Sequence, residues 1–392
     1  MTLSNSFRIV GACSSLAAAL SLPLTAQSNW AAGDLIVGVG NGQYKVYDSG
    51  GALKETIQDV FGGIVGGLAW SPAGDLYTTS FTGGAIVVRS AIPPHATVST
   101  ISTTSLGGSH PTSVVFDASG NFYVGHADGD RDIKKFTLTG AYAGTFNAAT
   151  ENRGSNWLEL AADQRTMFYT SEGRRIMRYD VVTGAQLSDF ALLPGFDEAY
   201  AVRLLPPYDG SGGALVAYTA KILRLNASGN VVQTYDLLGQ NFWFSLRLDP
   251  NASSFWAGNL LTTRLYRFNL ASGAVEFGPL VVGGDAASSP AEVLVLSDTP
   301  PACVVYVDRA NNSGTENGSF QFPYNTVVEG VQNVCAGGRI VVKAGNYTAR
   351  ASPATDDEMP AAHEARQAAA AALRPRELPG SRIFARREDS RT

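Results

Sequence analysis

The sequence predicts an all-β protein: a six-bladed β-propeller, then a small incomplete β-helix-like C-terminal segment and a disordered tail. Three observations predict it. Charged residues are only 16% of the 392 residues, whereas Gly reaches 42 and aromatics 10%, a mixture suited to many short strands joined by tight turns. Two short phrases recur through the middle of the chain with a period of about 44 residues. Past Thr348 the apolar pattern stops.

The first element is an address. Arg8 precedes an apolar stretch from Ile9 to Leu22, and Pro23-Leu24-Thr25-Ala26 then offers a small residue for cleavage, so residues 1–26 read as a signal peptide. The run is interrupted by Gly11, Ser14, Ser15 and Ser21 and falls short of the ~20 apolar residues a membrane span needs. The expected location is therefore secreted, periplasmic or cell-surface, with no membrane span once the signal is removed. In such a compartment the remaining pair, Cys303 and Cys335, is expected to form a disulfide. A net charge of -5 lacks the basic excess that nucleic-acid phosphates require, which argues against nucleic acid as a partner.

The propeller is placed over residues 33–297. One phrase alternates apolar and basic residues into an Asp, Asn or Thr and a turn Gly. It occurs as Tyr44-Lys-Val-Tyr-Asp-Ser-Gly50, Ile133-Lys-Lys-Phe-Thr-Leu-Thr-Gly140, Ile176-Met-Arg-Tyr-Asp-Val-Val-Thr-Gly184, Ile222-Leu-Arg-Leu-Asn-Ala-Ser-Gly229 and Leu265-Tyr-Arg-Phe-Asn-Leu-Ala-Ser-Gly273. A second phrase precedes it, placing Trp70, Phe116, Leu160, Leu204 and Leu248 at equivalent points, 46, 44, 44 and 44 positions apart. Each unit reads as four short strands, the inner ones apolar, which makes one blade. A blade cannot bury both faces alone, so blades stack until the ring closes. Residues 33–57 supply only later strands of a blade, and Pro290 to Ser297 supplies an inner strand with nothing after it. Joined, the two ends complete a sixth blade and remove the exposed edges.

These phrases resemble the NHL-repeat and gluconolactonase-like six-bladed propellers, residues 114–140 most closely. The resemblance is one of strand and turn chemistry and implies a fold more than an activity. Gluconolactonase-like enzymes hold one divalent metal on the axis with a Glu, an Asn and an Asp from different blades. Glu172, Asn241 and Asp285 imitate that set, so the resemblance implies an alternative activity: metal-dependent lactone or ester hydrolysis with one divalent ion such as calcium in the channel. Asp128-Gly-Asp130-Arg-Asp132 also opens like a calcium loop, but Ile133 and Thr139 stand where that motif needs Gly and Glu.

After a stiff linker at 298–302, residues 303–350 carry a Val304-Val-Tyr-Val-Asp308 strand, a Val327-Val-Glu-Gly-Val331 segment and a Gly337-Gly-Arg-Ile-Val-Val-Lys-Ala-Gly345-Asn-Tyr strand. This resembles the truncated start of a pectin-lyase-like right-handed β-helix, with a capping helix and about one coil. Residues 351–392 hold no Lys, Phe384 as their one aromatic and an Ala run from Ala368 to Ala372, and are expected to be mostly disordered.

In a propeller, the loops before each inner strand and those joining the second and third strands gather at one mouth. There the sequence places His110, Asn152, Asn156, Asp197, Glu198, Asn241, Asp285 and Glu292 from the first class, with the aromatics named below, and Asn41, His126, Asp128, Glu172, Lys221 and Asn259 from the second. No nucleophile elbow, paired-His zinc motif or phosphate loop occurs. Trp157, Tyr200, Phe242 and Trp243 open successive inner strands and are expected to form a platform for a glycan, peptide or protein. The favoured reading is an exported binding or scaffold module rather than an enzyme.

Overall fold

A computed structural model describes residues 28–284, 288–296, 304–312, 314, 316, 323–333 and 339–343. The chain divides into two compact units, Met1–Gly345 and Asn346–Thr392, and all of the second lies outside the described residues. So do the expected leader, Asp285, the linker at 298–302, Cys303, Cys335 and the tail.

Six four-stranded antiparallel sheets follow one another. Blade 1 pairs Pro290–Val295 with Leu35–Val39, Gln43–Tyr47 and Leu53–Gln58, so the two ends of the propeller share one sheet. Blade 2 runs from Val65 to Ser102, blade 3 from Gly108 to Phe146, blade 4 from Trp157 to Leu192, blade 5 from Ala199 to Tyr235 and blade 6 from Trp243 to Val281. The closing register matches Leu35 with Val295, Ile36 with Leu294 and Val37 with Val293. It is extended by Gly33 N–H to Leu296 O and Leu296 N–H to Asp34 O, each at 2.8 Å. Every inner strand touches the next, and the ring is complete.

The turn phrase has a local cause. In Asp48, Asp117 and Asn226 the side-chain oxygen accepts backbone N–H groups two and four residues on, at 2.8–3.0 Å. The chain then needs a left-handed residue, supplied by Gly51, Gly120 and Gly229 at φ +86°, +85° and +75°. Asx side chain and glycine together make the hairpin between third and fourth strands in blades 1 and 5 and the one between first and second strands in blade 3. Near the axis Gly67 serves a different need: a Cβ there would lie 2.6 Å from Ser113 Cα, so only glycine lets the inner strands of blades 2 and 3 approach.

Blade 4 departs from the expected pattern. Its outer strand is two short pieces, Ala185–Gln186 and Ala191–Leu192, each paired with Arg175–Asp180. Between them, Ser188 and Asp189 bond to the side chains of Arg178 and Arg175, replacing ladder bonds with side-chain bonds.

In the C-terminal segment, Val304–Val307 and Arg339–Val342 pair in parallel, with a helix over Val327–Asn333 between them. Gly330 lies where a Cβ would come 2.7 Å from Val307 and 3.3 Å from Ile340, so its lack of a side chain seats the helix on the strands. The two strands and the helix fall where the sequence places them. One parallel pair is less than a coil, and it does not establish a β-helix.

Candidate functional site at the channel and its mouth

Alternation along a strand puts every second inner-strand residue on the axis. The residues just before the repeating Trp70, Phe116, Leu160, Leu204 and Leu248 are Ala69, Val115, Glu159, Arg203 and Arg247, their counterpart on blade 1 is Leu294, and Glu292 stands two residues along the same strand. The inner strands are thus not uniformly apolar, as expected, because blades 4, 5, 6 and 1 each turn a charge to the channel. Glu292, expected at the mouth, sits at the level of Trp157 and is bonded to the deeper layer through Arg203. Arg203 spans the channel, donating to Glu292 at 3.1 and 3.2 Å, to Glu159 at 3.4 Å and to the Leu246 carbonyl at 2.9 Å. Burial pushes the Glu159 and Glu292 carboxyls above the usual range, against the pull of Arg203 and Arg247. It pushes Arg247 down to about 10, reinforced by Arg203, which still leaves the guanidinium charged at neutral pH.

Above this layer sits an aromatic plug. Trp157 of blade 4 meets Phe244 of blade 6 edge-on at 5.6 Å and lies over the Arg203 guanidinium at 5.7 Å. Tyr200 packs on Phe244 at 4.9 Å and on Phe242 at 5.4 Å. Trp243 faces the other way, packed against Tyr266 and Phe268 of its own blade. The expected shared platform therefore needs correction: Trp157, Tyr200 and Trp243 are 2%, 5% and 0% exposed, and Phe242 is half-buried. The physical reason is a register shift. The inner strands of blades 5 and 6 shift between Ala199 and Val202 and between Trp243 and Ser245, whereas that of blade 4 pairs without one. The three rings stand three, four and five residues before Leu160, Leu204 and Leu248, and a shift reverses which side chain faces the axis, so they do not share a surface.

At the mouth over blades 2 to 4 a polar cluster forms. His110 stacks on Phe81 at 4.4 Å and bonds through Nδ1 to Asp128 at 2.7 Å. Arg153 grips the same carboxylate at 2.7 and 3.2 Å, lies over Phe81 at 5.4 Å, and reaches Glu172 at 3.4 Å. Asn156 donates its amide N–H to Glu172. Hydrogen bonds from Arg153 hold the Asp128 carboxyl below its ordinary range, while burial raises Glu172 despite Arg153 and Asn156. The sequence assigned all of these except Phe81 and Arg153 to the mouth. His110 carries φ +52°, outside the β region its neighbours adopt, a conformation that costs about 1–3 kcal/mol in a non-glycine residue.

The expected metal set lies only partly within the described residues. Glu172 is engaged by Asn156 and Arg153, Asn241 is exposed in the loop before blade 6, and Asp285 lies outside the described residues. In the calcium-like stretch, Asp128 turns to His110 and Arg153 while Asp130 turns to Lys134. Among the described residues no three His, Cys, Asp or Glu side chains are grouped to hold a metal ion.

His126, also assigned to the mouth, is wholly buried beneath it. Its Nδ1 lies 3.1 Å from the Asp132 carbonyl, which makes that nitrogen the donor and leaves Nε2 an acceptor without a partner. Burial moves this imidazole from 6.5 down to about 4, with Lys134 adding to it and Asp130 and the Asp132 carbonyl opposing. The unfolded chain therefore binds a proton that the folded one refuses. His126 leaves stability intact above about pH 6.5 and erodes it down to about pH 4, by about 3 kcal/mol in all. Asp75 acts oppositely: burial raises it to about 7, so its share is present at low pH and lost as pH rises through 7. Urea midpoints of the parent and His126→Gln across pH 4–7 separate the two, and the variant should lose less stability on acidification.

The rim of the same mouth is apolar. Phe196 in the loop before blade 5 is 98% exposed, Leu238 before blade 6 is 100%, and Leu261 in the adjoining turn of blade 6 is 65%. Val60 and Phe61, in the loop before blade 2, add 54% and 46%. The sequence reading missed them, although an apolar residue inside a Gly-rich loop, as in Gly195-Phe196-Asp197 and Leu238-Gly239, was the available signal.

No family model matches the chain, and no curated protein matches it in sequence. Its fold matches 1592 solved chains, too many for the fold to select an activity. One of them, from a crystal structure of a nidogen/laminin complex, aligns with a TM-score of 0.54 at 12% identity, covering 66% of this chain and 97% of that one. The likeness is one of fold, and the fold is the β-propeller.

Proposed function

We propose that the chain is an exported binding propeller that holds a protein partner on the rim of its mouth. The observation that carries this is the set of exposed apolar side chains, Val60, Phe61, Phe196, Leu238 and Leu261, all on loops of one face. Large apolar groups left in water on a single face mark an interaction surface. The strained, stacked cluster of His110, Phe81, Arg153 and Asp128 on that face adds rigid polar anchors of the kind interfaces use. The nidogen/laminin structure is itself a complex of proteins, in accord with this reading, but the rim is what supports it. Export rests on the leader pattern of residues 1–26, and with it go the Cys303–Cys335 disulfide, the NHL-like character of the blades and the β-helix start. No helix among the described residues is long and apolar enough to cross a membrane.

The test is a triple variant, Phe196→Ser, Leu238→Ser and Leu261→Ser. Its urea midpoint should match the parent closely, because exposed substitutions change stability by about 0.5 kcal/mol or less each. Its retention of the parent's binding partner should fall at least about tenfold, as loss of interface anchors does. Unchanged retention would remove the rim from the account.

A further inference from the structure

One guanidinium of the axial layer feels both glutamates at a distance but makes no direct contact with either. Arg203 bonds to both glutamates, yet Arg247 makes no hydrogen bond or ion pair among the described residues. It is only half-buried, as are Glu159, Val115 and Ala69, so one side of the channel stays accessible beside it. In a ring of six, Arg247 on blade 6 looks across the axis at Val115 on blade 3, and Arg203 on blade 5 looks at Ala69 on blade 2. The small apolar residues thus stand opposite the arginines, and the two glutamates lie on the facing blades 4 and 1, Glu292 one layer nearer the plug.

We infer that the channel binds a small aliphatic monocarboxylate, its carboxylate on the free fork of Arg247 and its tail against Val115 and Ala69. A guanidinium offers two parallel N–H groups that match a carboxylate edge, and the low-dielectric channel strengthens the pairing. Glu159 and Glu292 select against more highly charged anions: a phosphate or sulfate dianion meets two nearby negative charges for one uncommitted cation. Val115 and Ala69, both half-buried, give a short alkyl chain apolar side chains to lie against. This site lies below the aromatic plug and is independent of the rim and of any partner there.

The probes are butyrate, acetate, chloride and sulfate at equal ionic strength. Saturation transfer from the parent protein to the butyrate methyl protons reads binding directly and needs no variant. Trp157 lies over Arg203, so its fluorescence should also change with butyrate. Arg247→Met should weaken retention by about tenfold or more, the worth of a charge-assisted pair. Val115→Phe, which fills the far wall and leaves every charge in place, should exclude butyrate while acetate still binds. Absence of saturation transfer in the parent, equal response to butyrate and sulfate, or undiminished transfer in a folded Arg247→Met protein would each overturn the inference.

Discussion

Trp157→Ala and Trp243→Ala should each lower folding stability by about 3–5 kcal/mol, the usual result of truncating a fully buried aromatic. The two act through different contacts. Trp243 joins Tyr266 and Phe268 inside blade 6, so its loss opens a cavity within a blade. Trp157 joins blade 4 to blade 6 through Phe244 and covers Arg203, so its loss opens the top of the channel and wets the charges beneath. Water entering there offsets part of the cavity cost, and Trp157→Ala should be the less destabilising of the two. Urea unfolding followed by far-ultraviolet dichroism measures both. Midpoints within error of the parent would show that these rings are not the core they occupy here.

Arg203→Met should be at least as costly, about 3–5 kcal/mol near neutral pH, because it strands Glu292, 1% exposed, without its bidentate partner. The pH dependence distinguishes this from loss of packing. Burial already raises both glutamates, and without Arg203 they rise further. A group whose folded pKa is raised contributes stability below its unfolded value, 4.5 here, and loses it as pH climbs through the folded value. The deficit of Arg203→Met should therefore be smallest near pH ~4.5 and grow toward neutrality. Adding Glu292→Gln should recover part of it, since the stranded charge is then gone. A deficit independent of pH would mean that Arg203 matters only as volume.

How much of this was legible in the sequence follows from how each feature is encoded. Blade number and ring closure were, because Asx-Gly turns and the apolar residues Trp70, Phe116, Leu160, Leu204 and Leu248 repeat at the blade period, and closure needs only that 33–57 and 290–297 be halves of one unit. The mouth was legible as a place, since loop membership follows from strand order. His110 with Asp128, and Asn156 with Glu172, are pairs the sequence put on one face and the structure brought together. What the side chains at that place face was not. Orientation of Trp157 and Trp243 depends on a register shift of one residue, and the spacing, three residues from Trp157 to Leu160 against five from Trp243 to Leu248, does not say on which side of it each ring falls. The axial charges were hidden for another reason: Glu159, Arg203 and Arg247 differ in sign and type, so they break the similarity by which repeats are recognised, even though each sits one residue before a repeating position.

The proposed recognition uses the rim of one face, above a channel that aromatics close on that side. Site-specific photo-crosslinking tests it most directly, with a photoreactive residue at Phe196 or Leu261 on the rim and at Leu53 or Val182 as exposed controls in hairpins of the opposite face. In cells that make the protein, with their medium, the rim probes should capture the same partner, identified by mass spectrometry, and the controls should not. Equal capture from both faces, or capture from Leu53 and Val182 alone, would contradict it.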